Sequence, residues 1–271
     1  MMDDKSVAGE LPLVSIVVAV FNGAATIEAL LLSVINNTYK NIDIIVMDGG
    51  STDETINILR QYDQYIKVWR SERDDGIYDA LNKGLALCEA ESYVLILGAD
   101  DRLLSLGDVV DAIQVNRADL IVANVQQKNI NTGVVSLYEC FLPGFIGNSN
   151  FLDFPMHHQG FMFKKSDYFK QQFDLRLGLH SDYEFMASAV RACVNPVYVN
   201  TALAEYSTGG ASDYFSMKNM KSLSAVATSL GLNRMRVACA SPVKFLRMIL
   251  KVFVSRRVID FLRKVQAARH V

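Results

Sequence analysis

The 271-residue sequence predicts an α/β protein: a Rossmann-like, mostly parallel central sheet flanked by helices, followed by a basic, amphipathic helical appendage. Three observations carry that prediction. Short β-branched runs alternate with longer amphipathic ones between residues 13 and 98. The β-branched runs are apolar nearly throughout, as in strands covered by helices on both faces. Charge is also unevenly divided: residues 242–271 hold eight Lys/Arg and one acid, net +7, whereas residues 1–241 hold 19 basic and 28 acidic residues, net −9.

In chain order the runs are LVSIVVAV, TIEALLLSVINN, IDIIVMD, DETINILRQY, IKVWR, GIYDALNKGLALCEA and SYVLILG, a βαβαβαβ succession. Two further strands are expected at 119–126 and 134–138, joined by the turn residues Asn131-Thr132-Gly133. Residues 139–160 gather Pro143, Gly144, Gly147, Asn148, Asn150 and Pro155 among aromatics and read as a long loop near a site. A short strand at 160–163, helices near 166–172 and 182–193, and a strand pair near 196–206 complete the body. In the tail, a single straight helix over 243–265 would put Lys244, Arg247, Lys251 and Ser255 opposite Arg256, Arg257, Asp260, Arg263 and Lys264. Two short amphipathic helices meeting near Ser255-Arg256 keep an apolar side on each, the pattern of a segment lying on an anionic membrane surface. A dimer contact or packing against the acidic body are the other readings.

Composition narrows the class. At 51% hydrophobic and 21% charged residues, with net charge −2, disordered and fibrous chains are excluded. Cys88, Cys140, Cys193 and Cys239 are too far apart for a metal-ligand spacing and read as buried thiols in a reducing compartment. The N-terminal stretch, opening Met1-Met2-Asp3-Asp4-Lys5, does not have the layout of a signal peptide, and no uncharged apolar run approaches the roughly 18 residues of a membrane span. The expectation is a cytoplasmic protein, peripheral on the inner face of the cytoplasmic membrane, with no nucleic-acid partner for its acidic body.

In an open parallel sheet, ligands bind beyond the carboxyl ends of the strands. Here those ends are polar: Phe21-Asn22-Gly23, Asp48-Gly49-Gly50-Ser51-Thr52-Asp53, Arg70-Ser71-Glu72-Arg73 and Ala99-Asp100-Asp101. The first is not GxGxxG, which disfavours a dinucleotide oxidoreductase. The second presents a carboxylate at a strand tip; its bland reading is a strand-to-helix turn with Ser51 or Thr52 as cap. Adjacent carboxylates at Asp100 and Asp101 repel unless a cation sits beside them, and Mg²⁺ or Mn²⁺ bound by one or two carboxylates plus phosphate oxygens suits that edge. The bland alternative is an Asp capping a short helix near Arg102.

In order, SIVVAVFNG, VMDGGSTDET, SERDDGIYDALNKGLALC and LILGADD resemble the family-2 glycosyltransferases of the GT-A fold, in the branch that builds bacterial surface polysaccharides. Val20 stands where proline is commoner, and Gly98-Ala99 where a third acid is common. The resemblance implies a catalytic domain over 1–231, with a nucleotide-binding half at about 13–101 and an acceptor half at about 102–210, and the appendage at 232–271. It further implies inverting transfer from a nucleotide sugar, usually a UDP-sugar, to a lipid-linked saccharide acceptor. Phe21 and Asn22 would meet the nucleotide, Asp48 the uracil edge, and Asp79 and Asn82 the nucleoside. Asp100 would face the ribose and, with Asp101, the metal; His158 and Gln159 would border the donor sugar or phosphates. Asp182, in Leu179-His180-Ser181-Asp182-Tyr183-Glu184-Phe185, resembles the family's general base. Its bland reading is a first-turn acid beside a Ser181/Glu184 capping box. The alternatives in other classes are a nucleotide-sugar-binding protein without turnover and a glycoside hydrolase using paired carboxylates.

Overall fold

The structure is a computed structural model and describes residues 11–130, 132–140, 156–166, 172–208 and residue 226. Four parallel strands form its first half: β1 (Val14–Val20), β2 (Ile42–Asp48), β3 (Val68–Ser71) and β4 (Tyr93–Gly98), ordered β3-β2-β1-β4. The helices between them are α1 (Ile27–Ile35), α2 (Thr55–Gln61) and α3 (Ile77–Leu87). The same sheet continues through β8 (Phe161–Lys164), antiparallel to both β4 and β6 (Leu120–Asn129), and then β9 (Pro196–Thr208), parallel to β6. A short β5 (Arg102–Leu103) closes the far edge against β9, and β7 (Val135–Tyr138) pairs with β6 as the expected hairpin. This mixed extension of a parallel core is the GT-A arrangement that the resemblance implied.

Apolar strands need cover on both faces, and β1 has it. Val14, Ile16, Val18 and Val20 pack with α1, Leu59 of α2 and α4 (Gly107–Asn116). Val17 and Ala19 face the other layer, where α3 and α5 (Ser181–Ala192) contribute Ala80, Leu81, Leu85, Phe185 and Met186. The core is thus two apolar layers with the sheet between them, which is why the early strands are hydrophobic at consecutive positions.

Several expectations need correction. Arg102 begins β5 and not a helix; the helix follows at α4, whose Val109, Val110 and Ile113 supply a buried stripe not singled out in the sequence. The pair expected at 196–206 is one 13-residue strand whose pairing with β6 slips near Asn124. Cys88 and Cys140 are buried as expected, but Cys193 is half-exposed. The helix near 166–172, most of the 139–160 loop and the appendage at 232–271 lie outside the described residues. No helix among the described residues is long and apolar enough to cross a membrane.

One close approach sets the height of α3 above the sheet. A Cβ added at Gly84 would lie 2.5 Å from Val17 Cγ1 and 3.3 Å from Met47 Cγ. Gly84→Ala should therefore destabilise the protein by about 1–3 kcal/mol through overpacking, despite alanine's gain of about 1 kcal/mol in helix propensity. Urea unfolding measures this; a midpoint unchanged or raised would mean that α3 rides freely on the sheet.

Candidate active site

Parallel register places the polar strand tips side by side. Val20 pairs with Asp48, Asp48 with Ser71, and Ala19 with Gly98, so the loops after β1, β2, β3 and β4 open on one edge. The Asp48 carboxylate, only 2% exposed, ties them together. It accepts from Gly50 N (3.0 Å), Ser51 N (2.9 Å), the Ser71 hydroxyl (2.6 Å) and the Ser51 hydroxyl. Ser51 Oγ in turn accepts from Asn22 N (2.7 Å), and Asn22 Oδ1 accepts from Thr52 N (2.9 Å). Asn22 has φ 49°, a left-handed conformation that asparagine tolerates better than most residues. Ser51 and Thr52 thus knit loop to loop and do not cap α2, whose N-cap, Glu54, has no side-chain cap hydrogen bond. Phe21, 63% exposed, stands out from this knot as a free aromatic face.

α3 displays two faces. Asp79 accepts from Asp75 N (3.2 Å) and pairs with Lys83 (3.0 Å), which also reaches Glu72 (2.8 Å). Lys83 first, and the Asp75 amide second, hold the Asp79 carboxyl below its usual range. Asn82 has both ends of its amide engaged on the main chain of Phe173, accepting from N (2.8 Å) and donating to O (3.0 Å). The ring of Phe173 lies between Tyr78 (5.1 Å) and Phe185 of α5 (4.3 Å, nearly parallel). α3 therefore anchors the segment that leads into α5.

The second group of predicted residues converges. Asp101, 3% exposed, accepts from Gly98 N (2.6 Å), and Gln159 Nε2 approaches its other oxygen at 3.5 Å. Burial pushes its carboxyl up to about 6, with the neighbouring Asp100 adding to the rise. His158 Nδ1 stands 3.7 Å from Asp182 Oδ2. Burial by itself would lower the His158 pKa, but Asp182, Asp101 and Asp100 together outweigh it and raise it. Asp182 sits in the first turn of α5, its Oδ1 accepting from Tyr183 N (2.9 Å). The capping box is absent: Ser181 Oγ donates to Asp174 O (3.0 Å), and Glu184 accepts from Ser188 (2.8 Å). Gly160 makes this meeting possible, because a Cβ there would lie 2.3 Å from the Ala123 carbonyl oxygen of β6. Glycine alone lets the turn bearing His158 and Gln159 approach so near.

The model of the glycosyl transferase family 2 matches residues 15–195, a stretch that runs from β1 to the end of α5. The chain belongs to glycosyl transferase family 2. It is a glycosyltransferase, and it is 26% identical over 266 residues to a PGL/p-HBAD biosynthesis glycosyltransferase of Mycobacterium bovis, covering 93% of this chain and 98% of that one. Its fold matches the crystal structure of S. aureus TarS 1–349 with a TM-score of 0.61 and 17% identity, over 83% of this chain and 68% of that one. It also matches the mannosyltransferase PcManGT of Pyrobaculum calidifontis, solved with GDP-Man and Mn²⁺, with a TM-score of 0.59 and 14% identity, over 96% and 81%.

In this glycosyltransferase, Asp100, Asp101, His158 and Asp182 form one electrostatic group. Phe21, Asn22 and Asp48 share the sheet edge, while Asp79 and Asn82 are engaged within the fold. Tyr78 was not singled out in the sequence, although it shares a helix face with Asn82 one turn on. Asp100 Oδ1 and Asp101 Oδ2 flank Gly98, where an added Cβ would lie 3.0 and 3.2 Å from them. Gln159 Oε1 is buried without a hydrogen-bond partner. No group of three His, Cys, Asp or Glu side chains that could hold a metal occurs among the described residues. Two carboxylates beside a polar oxygen fit a hard cation that takes its other ligands from a diphosphate and water.

A raised carboxyl pKa has a stability consequence of definite sign. Asp101 binds its proton more tightly folded than unfolded, so its own contribution to metal-free stability is full below about pH 4 and is lost as pH rises through about 6. Asp101→Asn removes that ionisation and retains an acceptor for Gly98 N. It should stabilise the metal-free protein by about 1–3 kcal/mol near pH 8 and by little near pH 4. Urea titrations at the two pH values check this; equal effects at both would refute it.

Proposed function

We propose that this glycosyltransferase inverts the anomeric carbon while moving a sugar from a nucleotide sugar, most naturally a UDP-sugar, to a lipid-linked oligosaccharide acceptor in surface-polysaccharide synthesis. The observation that carries the reading is the grouping of Asp182 with His158 and the Asp100/Asp101 edge, which puts one carboxylate apart from a pair suited to a cation. Structures of TarS with UDP and with UDP-GlcNAc support a uridine donor, since the fold is shared. The lipid-linked acceptor rests on the family branch that the sequence blocks resemble and on the basic segment at 242–271.

In this mechanism Asp101 and Asp100 would hold Mg²⁺ or Mn²⁺. Bound there, the cation supplies positive charge to the departing diphosphate. Phe21 offers its face to the base, and the Asp48 knot keeps that loop in place. Asp182 takes the proton of the acceptor hydroxyl as its oxygen bonds to the anomeric carbon and the bond from that carbon to the diphosphate oxygen breaks. His158, which lies beside Asp182 and is coupled to Asp101 and Asp100, moderates the repulsion among these carboxylates. Nothing in this scheme needs the paired carboxylates of a hydrolase, and a binding protein without turnover would have no use for Asp182.

A thermal-shift panel of UDP-, GDP- and dTDP-sugars with Mn²⁺ should single out UDP-sugars. Calorimetry should find UDP binding tightened by metal in the native chain and indifferent to metal in Asp101→Ala; equal affinities with EDTA and with Mn²⁺ in the native chain would sink the metal assignment. Asp182→Asn should fold normally and bind UDP normally while transfer falls by about 10²- to 10⁴-fold.

The +7 segment at 242–271 is assigned to the anionic membrane surface. The full chain should co-sediment with anionic vesicles at low salt, be partly released as salt shortens the Debye length below about 8 Å, and ignore neutral vesicles. Indifference to anionic vesicles at low salt would leave the segment as an assembly or packing element.

A further inference from the structure

We propose that the β6–β7 hairpin is a membrane-contact element that sets its apolar tip into an anionic bilayer and holds the edge bearing Asp100 and Asp101 at the lipid surface; the proposal rests on the membrane reading of the +7 segment. The tip is apolar where it meets solvent. Ile130, Val134, Val135 and Leu137 are between 46% and 62% exposed. Single exposed aliphatics such as Val115 and Val194 are ordinary on a protein surface, but four in one short hairpin make a patch. Pairing shows how they are displayed. Val135 stands opposite Lys128 and Leu137 opposite Gln126, so these two share one face of the ribbon, and the Val134 carbonyl accepts from Asn129 N (2.9 Å) to close the turn.

Sheet register gives the hairpin its direction. Leu95 of β4 and Ile121 of β6 both pair with Met162 of β8, and both strands run antiparallel to β8, so they point the same way from a common level. Asp101 lies six residues beyond Leu95, and Ile130 nine beyond Ile121. At about 3.3 Å per residue, the turn projects roughly 10 Å past the two carboxylates on the same edge of the sheet.

Charge and side-chain type identify the occupant. Residues 120–138 contain no acid and one base, Lys128, within a body that is net −9. The nearest acids stand below the tip: Glu205 pairs with Gln126 and meets Lys128 at 3.8 Å, and Glu139 follows β7. Anionic headgroups therefore repel the body at large but not this hairpin, and they attract the segment at 242–271. The exposed groups at the tip are aliphatic, which suits acyl chains, whereas a surface for saccharide would favour flat rings. A lipid-anchored acceptor is confined to the plane of the bilayer, so a hairpin of fixed length sets the height at which its saccharide meets the carboxylates.

The test uses the full chain and vesicles of phosphatidylcholine and phosphatidylglycerol in equal parts. Trp69 is the one tryptophan of the chain and lies in β3, with β2, β1, β4 and β8 between it and β6, so it should report no bilayer contact. Val135→Trp adds a reporter on the hairpin. On vesicle binding its emission should shift to the blue and be quenched by brominated acyl chains, while the emission of the native chain stays unquenched. A second variant, combining Ile130→Ser, Val134→Ser and Leu137→Ser, removes the apolar tip without touching the core, so its melting temperature should stay within about 2 °C of the native chain. Its vesicle affinity should fall by about 10- to 100-fold. The fraction of native chain that resists release by salt should disappear in this variant, because only the screened attraction of the basic segment remains. Unquenched emission from vesicle-bound Val135→Trp, or native affinity in the serine variant, overturns the proposal. So does a native dimer by light scattering that the serine variant converts to a monomer, which would make the tip a contact between copies. Failure of the native chain to bind these vesicles at low salt would instead remove the membrane reading itself, and the role of the hairpin with it.

Discussion

The polar edge of the sheet depends on one buried carboxylate. Asp48 lies at the tip of β2 with almost no access to water, and such a group is tolerated only when its lone pairs are met. The four donors that meet them come from its own turn and from the neighbouring strand tip, and through Ser51 the bonding reaches the loop after β1. Loop conformation, strand register and the position of Phe21 are consequently one cooperative unit. Losing any one donor leaves a desolvated charge short of a partner, so the knot holds its shape more strictly than an apolar contact of similar size.

The edge at Asp101 is built on the opposite principle. Asp101 is buried with incomplete compensation, and Gln159 beside it keeps an unpaired oxygen. The same fold that satisfies Asp48 completely leaves Asp101 poised. That contrast separates a carboxylate whose lone pairs are met from one whose compensation is incomplete, although both stand at the end of a parallel strand. His158 joins the poised acid to Asp182, so three elements, the end of β4, the turn before β8 and the start of α5, share one electrostatic field.

Much of this was legible in the residues. The early strands and helices follow the alternation of apolar runs closely, because burial on both faces leaves a strong signal, as in IDIIVMD for β2. The strand-tip rule located Asp48, Asp100 and Asp101. α4 was not anticipated, its Val109, Val110 and Ile113 lying among acids and polar residues. Local motifs misled where a tertiary partner outbid them: Ser181 and Glu184 have capping-box spacing, yet Ser181 bonds to Asp174 and Glu184 to Ser188. Tyr78 was invisible for a related reason. Its ring packs on Phe173, far along the chain, and nothing in GIYDALNKG says which neighbour it meets.

Gly160 separates two kinds of information that are mixed in the His157-His158-Gln159-Gly160 run. With the Ala123 carbonyl 2.3 Å from where a Cβ would stand, the last position answers to shape alone, whatever sugar is handled. Of the preceding positions, His158 and Gln159 stand beside the carboxylates, whereas the His157 ring packs on Tyr138 and Tyr206. Across natural variants, a side chain at 160 would therefore mark a rearranged scaffold.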